Sequence, residues 1–258
     1  MSSLRSLIMV LAWFALLLNV PVTATLLQRQ DAPINTTTIP LRIMSLGASV
    51  TFGVGSTTGN SYRKDLLDLL TSKKVSPTIQ YVGDKKNGNF SNNAVEATNG
   101  FTISQIAGLA NTAVPEFLPN LVLLDAGTNN CNQGGTVPDA GQQVTNLITK
   151  IYAQSPGSTV ILTSILVNSK ADQDACRVDE NRQYTELVAT MQAAGAKLVY
   201  VDMRGPGGPL VGDLADGRHP NDIGYVKMAN VWFGGIQEVV GKGLLVEPAV
   251  AAAKVSKA

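Results

Sequence analysis

The chain has 258 residues, 45% of them apolar, and a formal net charge of +1. That length fills one α/β domain rather than two. Its densest basic spots, Lys73–Lys74 and Lys85–Lys86, read as solvated loop charges, so the clustered positive face of a nucleic-acid binder is excluded.

In chain order, Arg5 precedes an apolar run from Leu7 to Val20, followed by Val22-Thr23-Ala24. The run is about 14 residues, short of the roughly 20 that cross a bilayer. Residues 1–24 therefore read as a secretory signal peptide cleaved after Ala24, with no stable membrane association. Polar residues 25–40 read as a flexible leader, residues 41–245 as the domain and residues 246–258 as a disordered tail.

Within the domain, strands are expected at Leu41–Leu46, Ile79–Val82, Leu121–Leu124, Thr159–Leu162 and Leu198–Val201. Helical spacing appears at Tyr62, Leu66, Leu69 and Leu70, with Ser61 as the N-cap. It recurs at Ile103 to Ala110, Val144 to Ile151, Tyr184 to Met191 and Tyr225 to Val240. Alternating strands and helices predict a mostly parallel sheet covered on both faces. The active site of such a sheet lies beyond the carboxyl ends of its strands.

Four loop segments carry groups suited to acyl transfer. Ser49 follows the first strand among small residues, in Gly47-Ala48-Ser49. A serine hydroxyl is a weak nucleophile and needs a base. The chain has one histidine, His219, in Asp216-Gly217-Arg218-His219-Pro220. Asp216, three positions earlier, is placed to fix the imidazole tautomer. Asn129 follows the Leu121–Leu124 strand, and Gly100 precedes the helix that begins near Thr102. Both could offer N–H groups to an oxyanion, and both residue types also serve simply as turn formers.

Secretion favours a disulfide between Cys131 and Cys176 over two separate thiols, worth about 3–4 kcal/mol through loop closure. Two Cys and one His at these spacings make no zinc site, so no metal is expected. Asn35-Thr36-Thr37 and Asn89-Phe90-Ser91 match glycosylation acceptors at Asn35 and Asn89.

The blocks Gly47-Ala48-Ser49, Asn99-Gly100-Phe101, Gly127-Thr128-Asn129-Asn130 and Asp216-Gly217-Arg218-His219-Pro220, in that order, resemble those of the SGNH (GDSL-like) hydrolases. The likeness spans about residues 41–240, and is greatest to fungal secreted members similar to acetylxylan esterases of carbohydrate esterase family three. Family members often carry Asp where this chain has Ala48 and Asn130. The resemblance implies a flavodoxin-like three-layer α/β sandwich around a mostly parallel five-stranded sheet. It implies a Ser49, Asp216 and His219 triad, and an oxyanion hole built from Ser49, Gly100 and Asn129. No cofactor is required. The implied substrate is a carboxylic ester, with acetylated polysaccharide first and short-chain lipid esters second. A monomer is the default expectation.

Three rival readings fit the residues less well. An α/β-hydrolase elbow, G-x-S-x-G, would need glycine where Thr51 stands. Gly53, Gly55 and Gly59 miss the dinucleotide-binding spacing. A non-catalytic carbohydrate-binding module would have to stack sugars with aromatics that make up only 5% of the chain.

Overall fold

The computed structural model describes residues 33–249; the expected signal peptide, the first part of the leader and most of the expected tail lie outside the described residues. The strands are β1 (Leu41–Gly47), β2 (Ile79–Val82), β3 (Lys85–Lys86), β4 (Ala94–Ala97), β5 (Leu121–Leu124), β6 (Thr159–Thr163) and β7 (Leu198–Val201). The helices are α1 (Ser49–Phe52), α2 (Ser61–Ser72), α3 (Ile103–Phe117), α4 (Ala140–Gln154), α5 (Ala171–Ala193) and α6 (Asp222–Gly241).

The sheet runs β3-β4-β1-β5-β6-β7. The first half of β1, Leu41 to Met44, pairs with β2, and its last residues, Leu46 and Gly47, pair with β4. Every pairing is parallel except β3 with β4. Side chains alternate along each strand, so one sequence feeds two cores. Leu41, Ile43, Leu121 and Leu123 face α2 and α6, where the Tyr62 and Trp232 rings meet at 5.5 Å. Met44, Leu46, Val122 and Leu124 face α3, α4 and α5. Each fully buried aliphatic side chain of these layers contributes about 1.5–3 kcal/mol.

All five expected strands are present, and two short ones join them. The expectation that Lys85–Lys86 is a solvated loop is corrected: the pair forms β3 against β4. Lys85 reaches inward, its Nζ donating to Ala97 O at 3.1 Å and to Thr98 Oγ1. A two-residue strand of lysines has no apolar alternation to betray it. Ser61 is not the N-cap of α2. Asn60 holds that position, Ser61 is the first helical residue at φ 57°, and its hydroxyl donates to Val50 O at 3.1 Å. Residues at the inner end of the leader are pinned to α6, because Asn35 exchanges three hydrogen bonds of 2.7–3.1 Å with Gln237.

Candidate active site

β1 ends at Gly47, where a Cβ would sit 2.3 Å from Thr51 Oγ1 and 2.7 Å from Asp125 O, so only glycine fits. The chain then turns at once into α1, with Ser49 as its first residue and Gly53 closing it at φ 115°. The turn is braced from beneath. Thr51 Oγ1 donates to Asp125 Oδ2 at 3.3 Å, and the Tyr225 hydroxyl lies 2.6 Å from Val54 O and 3.0 Å from Val50 O. Burial pushes the Asp125 carboxyl up to about 6, against the Thr51 hydrogen bond and the Arg177 charge.

His219 arrives from the loop between β7 and α6. Its Nε2 lies 2.9 Å from Ser49 Oγ, and its Nδ1 lies 2.7 Å from Asp216 Oδ2. Asp216 Oδ1 accepts the amides of Arg218 at 3.0 Å and His219 at 2.8 Å. Partial burial pushes the Asp216 carboxyl up, but the hydrogen bonds from the His219 ring and from the two amides outweigh it and hold it down at about 2. Ser49 is 4% exposed. A hydroxyl, an imidazole and an ionised carboxylate are thus joined in one hydrogen-bonded chain, 170 positions apart in sequence.

Gly100 and Asn129 lie on the segments that follow β4 and β5, the neighbouring strands of β1. Gly100 is exposed at φ 81°, with no atom within 4 Å of where a Cβ would stand. The Asn129 side chain spans two loops, Nδ2 donating to Phe101 O at 2.9 Å and Oδ1 accepting from Asn132 at 2.9 Å. Asn130, through its Oδ1, accepts the first amide of α3 from Ile103 at 2.9 Å. Cys131 and Cys176 form a disulfide that ties this loop to α5. Gln173 Nε2 adds a second tie, to Asn132 O at 2.6 Å.

Sequence reasoning missed what lies under the loop. Arg177 and Glu180 are wholly buried in the first half of α5. Arg177 Nη1 donates to Leu166 O at 3.0 Å and Val167 O at 2.9 Å. Burial pushes Glu180 up to about 8, against the Arg177 charge. One signal was available: Arg177, Glu180 and Tyr184 stand at i, i+3 and i+7 in line with the apolar stripe of Leu187 and Val188.

Residues 45–227 match the model of the GDSL-like lipase/acylhydrolase family. The chain belongs to that family. Among solved structures it is similar to a family 3 carbohydrate esterase from Clostridium thermocellum, at 26% identity and TM-score 0.68, over 80% of this chain and 99% of that one. It shares its fold with a carbohydrate esterase family 3 structure from Talaromyces cellulolyticus, at 21% identity and TM-score 0.67, over 78% of this chain and 99% of that one. A multidomain esterase of Ruminococcus flavefaciens is 25% identical over 217 residues, 74% of this chain and 28% of its own length. A putative endoglucanase X of Acetivibrio thermocellus is 27% identical over 140 residues, 54% of this chain and 59% of its own length. The chain thus matches only part of the length of both curated relatives. The mostly parallel sandwich is the fold of this family's solved members.

Proposed function

We propose that the chain is a secreted serine esterase that removes acyl groups, acetyl first, from carbohydrate esters. The observation that carries this is the Ser49–His219–Asp216 chain, with links of 2.9 and 2.7 Å. Ser49 Oγ attacks the ester carbonyl while His219 Nε2 takes its proton. The tetrahedral oxyanion is received by the Ser49 and Gly100 amides and the Asn129 side chain. Collapse breaks the bond to the alcohol, which leaves with the proton from Nε2, and the acyl group stays on Ser49. Water, deprotonated by the same imidazole, then releases the carboxylic acid. Asp216, held ionised, keeps Nδ1 protonated and stabilises the imidazolium.

Two observations favour a sugar over a fatty chain. The likeness at 26% identity is to a carbohydrate esterase. The cavity beside His219, about 160 Å³, is lined by polar side chains such as Asn168, Ser169 and Gln173. Secretion is supported by the N-terminal apolar run and by the disulfide, a bond of oxidising compartments.

The test is hydrolysis of 4-nitrophenyl acetate against 4-nitrophenyl octanoate by the protein and by Ser49→Ala, followed by acetate release from acetylated xylan. Acetate should be preferred, and Ser49→Ala should lose about 10⁴–10⁶-fold in kcat. Preference for octanoate would move the reading to a lipase. Equal rates in the two proteins would leave Ser49 without its role and favour a binding module.

A further inference from the structure

The cavity beside His219 has a use beyond holding the triad turn. Its walls include Asn168, Lys170, Gln173, Asp216, Arg218 and His219. The floor is rigid. Asn168 and Gln173 are each 5% exposed, and Asn168 Nδ2 donates to Gln173 Oε1 at 2.9 Å. The turn that carries His219 docks on the same segment, through Ser169 N to Gly217 O at 2.9 Å.

The charges of this cavity are unbalanced. Among the described residues, neither the Arg218 guanidinium nor the Lys170 ammonium makes an ion pair or a side-chain hydrogen bond. The cavity's one wall carboxylate, Asp216, takes the His219 ring and two amides and leaves a single negative charge against the two cations. Asp174 holds Arg204 at 2.8 and 2.9 Å. Asp172 faces Gly134, whose Cβ would lie 2.8 Å from its Oδ2. Behind the wall stands buried Arg177, held down at about 10 by burial first and the Arg218 charge second. An anion in the cavity would meet two unpaired cations and ease the repulsion between Arg218 and Arg177.

His219 returns its proton to the leaving alcohol, so a cavity walled by His219 and the turn that carries it is within reach of the alcohol part of the ester. We propose that this cavity is a subsite for a carboxylate borne by the alcohol part of the substrate, a uronic acid beside the acylated sugar, held by Arg218 and Lys170. The inference rests on the esterase reading above for its orientation, and its test does not depend on turnover.

The probes are acetylated xylo-oligosaccharides carrying a glucuronic acid branch, and the same oligosaccharides with that carboxyl reduced to an alcohol. Both are titrated calorimetrically into Ser49→Ala protein. At about 20 mM salt the acidic form should bind about 3- to 10-fold tighter, the range that two partly exposed charge pairs supply. The gap should close at about 0.5 M NaCl through screening. It should also close when Arg218→Gln and Lys170→Gln are added together, while Arg218→Lys, which keeps the charge, retains most of it. Equal affinities, or a gap that survives loss of both cations, would overturn the subsite. Acetate release from the reduced oligosaccharide by the unmutated protein reads the esterase activity separately, so the two failures are distinct.

Discussion

The two halves of the site are held in different ways. The turn bearing Asp216 and His219 is held by backbone: Ala215 N donates to His219 O at 2.8 Å, Asn221 N to Asp213 O at 2.8 Å, and Ser169 N to Gly217 O at 2.9 Å. The segments bearing Gly100 and Asn129 carry short backbone turns of their own, Phe101 N to Thr98 O at 3.3 Å and Asn130 N to Gly127 O at 2.8 Å, but side chains tie them to their neighbours. Two carboxamides, Asn129 and Asn130, join the loop after β5 to Phe101 and Ile103, and a disulfide and Gln173 tie that loop to α5. The base half should therefore tolerate side-chain changes around it, the Asp216 carboxylate that takes two amides of its own turn excepted, and fail when its backbone is crowded. The donor half should weaken when one of its tying side chains is removed.

The sharpest separation of the halves is Asn129→Ala. It removes both a proposed oxyanion donor and the strut to Phe101. The kcat on 4-nitrophenyl acetate should fall about 10²–10³-fold with little change in KM. A rise in KM alone would show that Asn129 serves binding and not the transition state. The Ser49–His219 pair lies outside the change, so labelling of Ser49 by a phosphonate should persist at a reduced rate.

The complementary test crowds the base half. Gly55 stands at φ 91°, and a Cβ there would lie 2.4 Å from Pro220 O and 3.2 Å from the His219 Cβ. Gly55→Ala must push the histidine turn outward, and a misplacement near 1 Å costs about 10²-fold in rate. The left-handed backbone adds about 1–2 kcal/mol of instability. Activity is expected to fall further than the loss of folded protein explains, measured as kcat per active site by phosphonate titration. Unchanged kcat would mean that the turn is less firmly held than its hydrogen bonds indicate.

How much of this was legible in the sequence follows from the same contrast. Strands β1, β5, β6 and β7 declare themselves because their runs are apolar on both faces. His219 and Asp216 could be paired because they are local, three positions apart on one turn. Ser49 was legible as a small-residue turn after a strand. The second half of α5 was legible from Tyr184, Leu187 and Val188. Its first half was not, because Arg177 and Glu180 are polar residues doing a core residue's packing, and periodicity scores polarity as exposure. β3 and β4 were hidden for a related reason: β4 buries Glu96, whose Oε2 accepts the Asp84 amide at 2.9 Å.

The smallest effect tests how that polar core supports the donor half. Glu180 lies under Gly127, where a Cβ would come within 2.6 Å of its Oε2, and neither carboxyl oxygen has a hydrogen-bond partner among the described residues. Burial raises its carboxyl to about 8. An unfolded glutamate titrates near about 4.3, so between those values the folded chain keeps a proton that the unfolded chain has lost. Its contribution to stability is thus fully present below about pH 4 and is lost as pH rises toward about 8. Glu180→Gln mimics the protonated acid and escapes the loss. Calorimetric Tm values should nearly coincide at about pH 4, and the variant should stand about 5 °C higher at about pH 8. A difference that shrinks or reverses with rising pH would mean that Glu180 is carried as an anion paired with Arg177. Removing it would then strand a buried cation under the loop that bears Asn129, and the donor half would rest on a salt bridge rather than on a neutral acid.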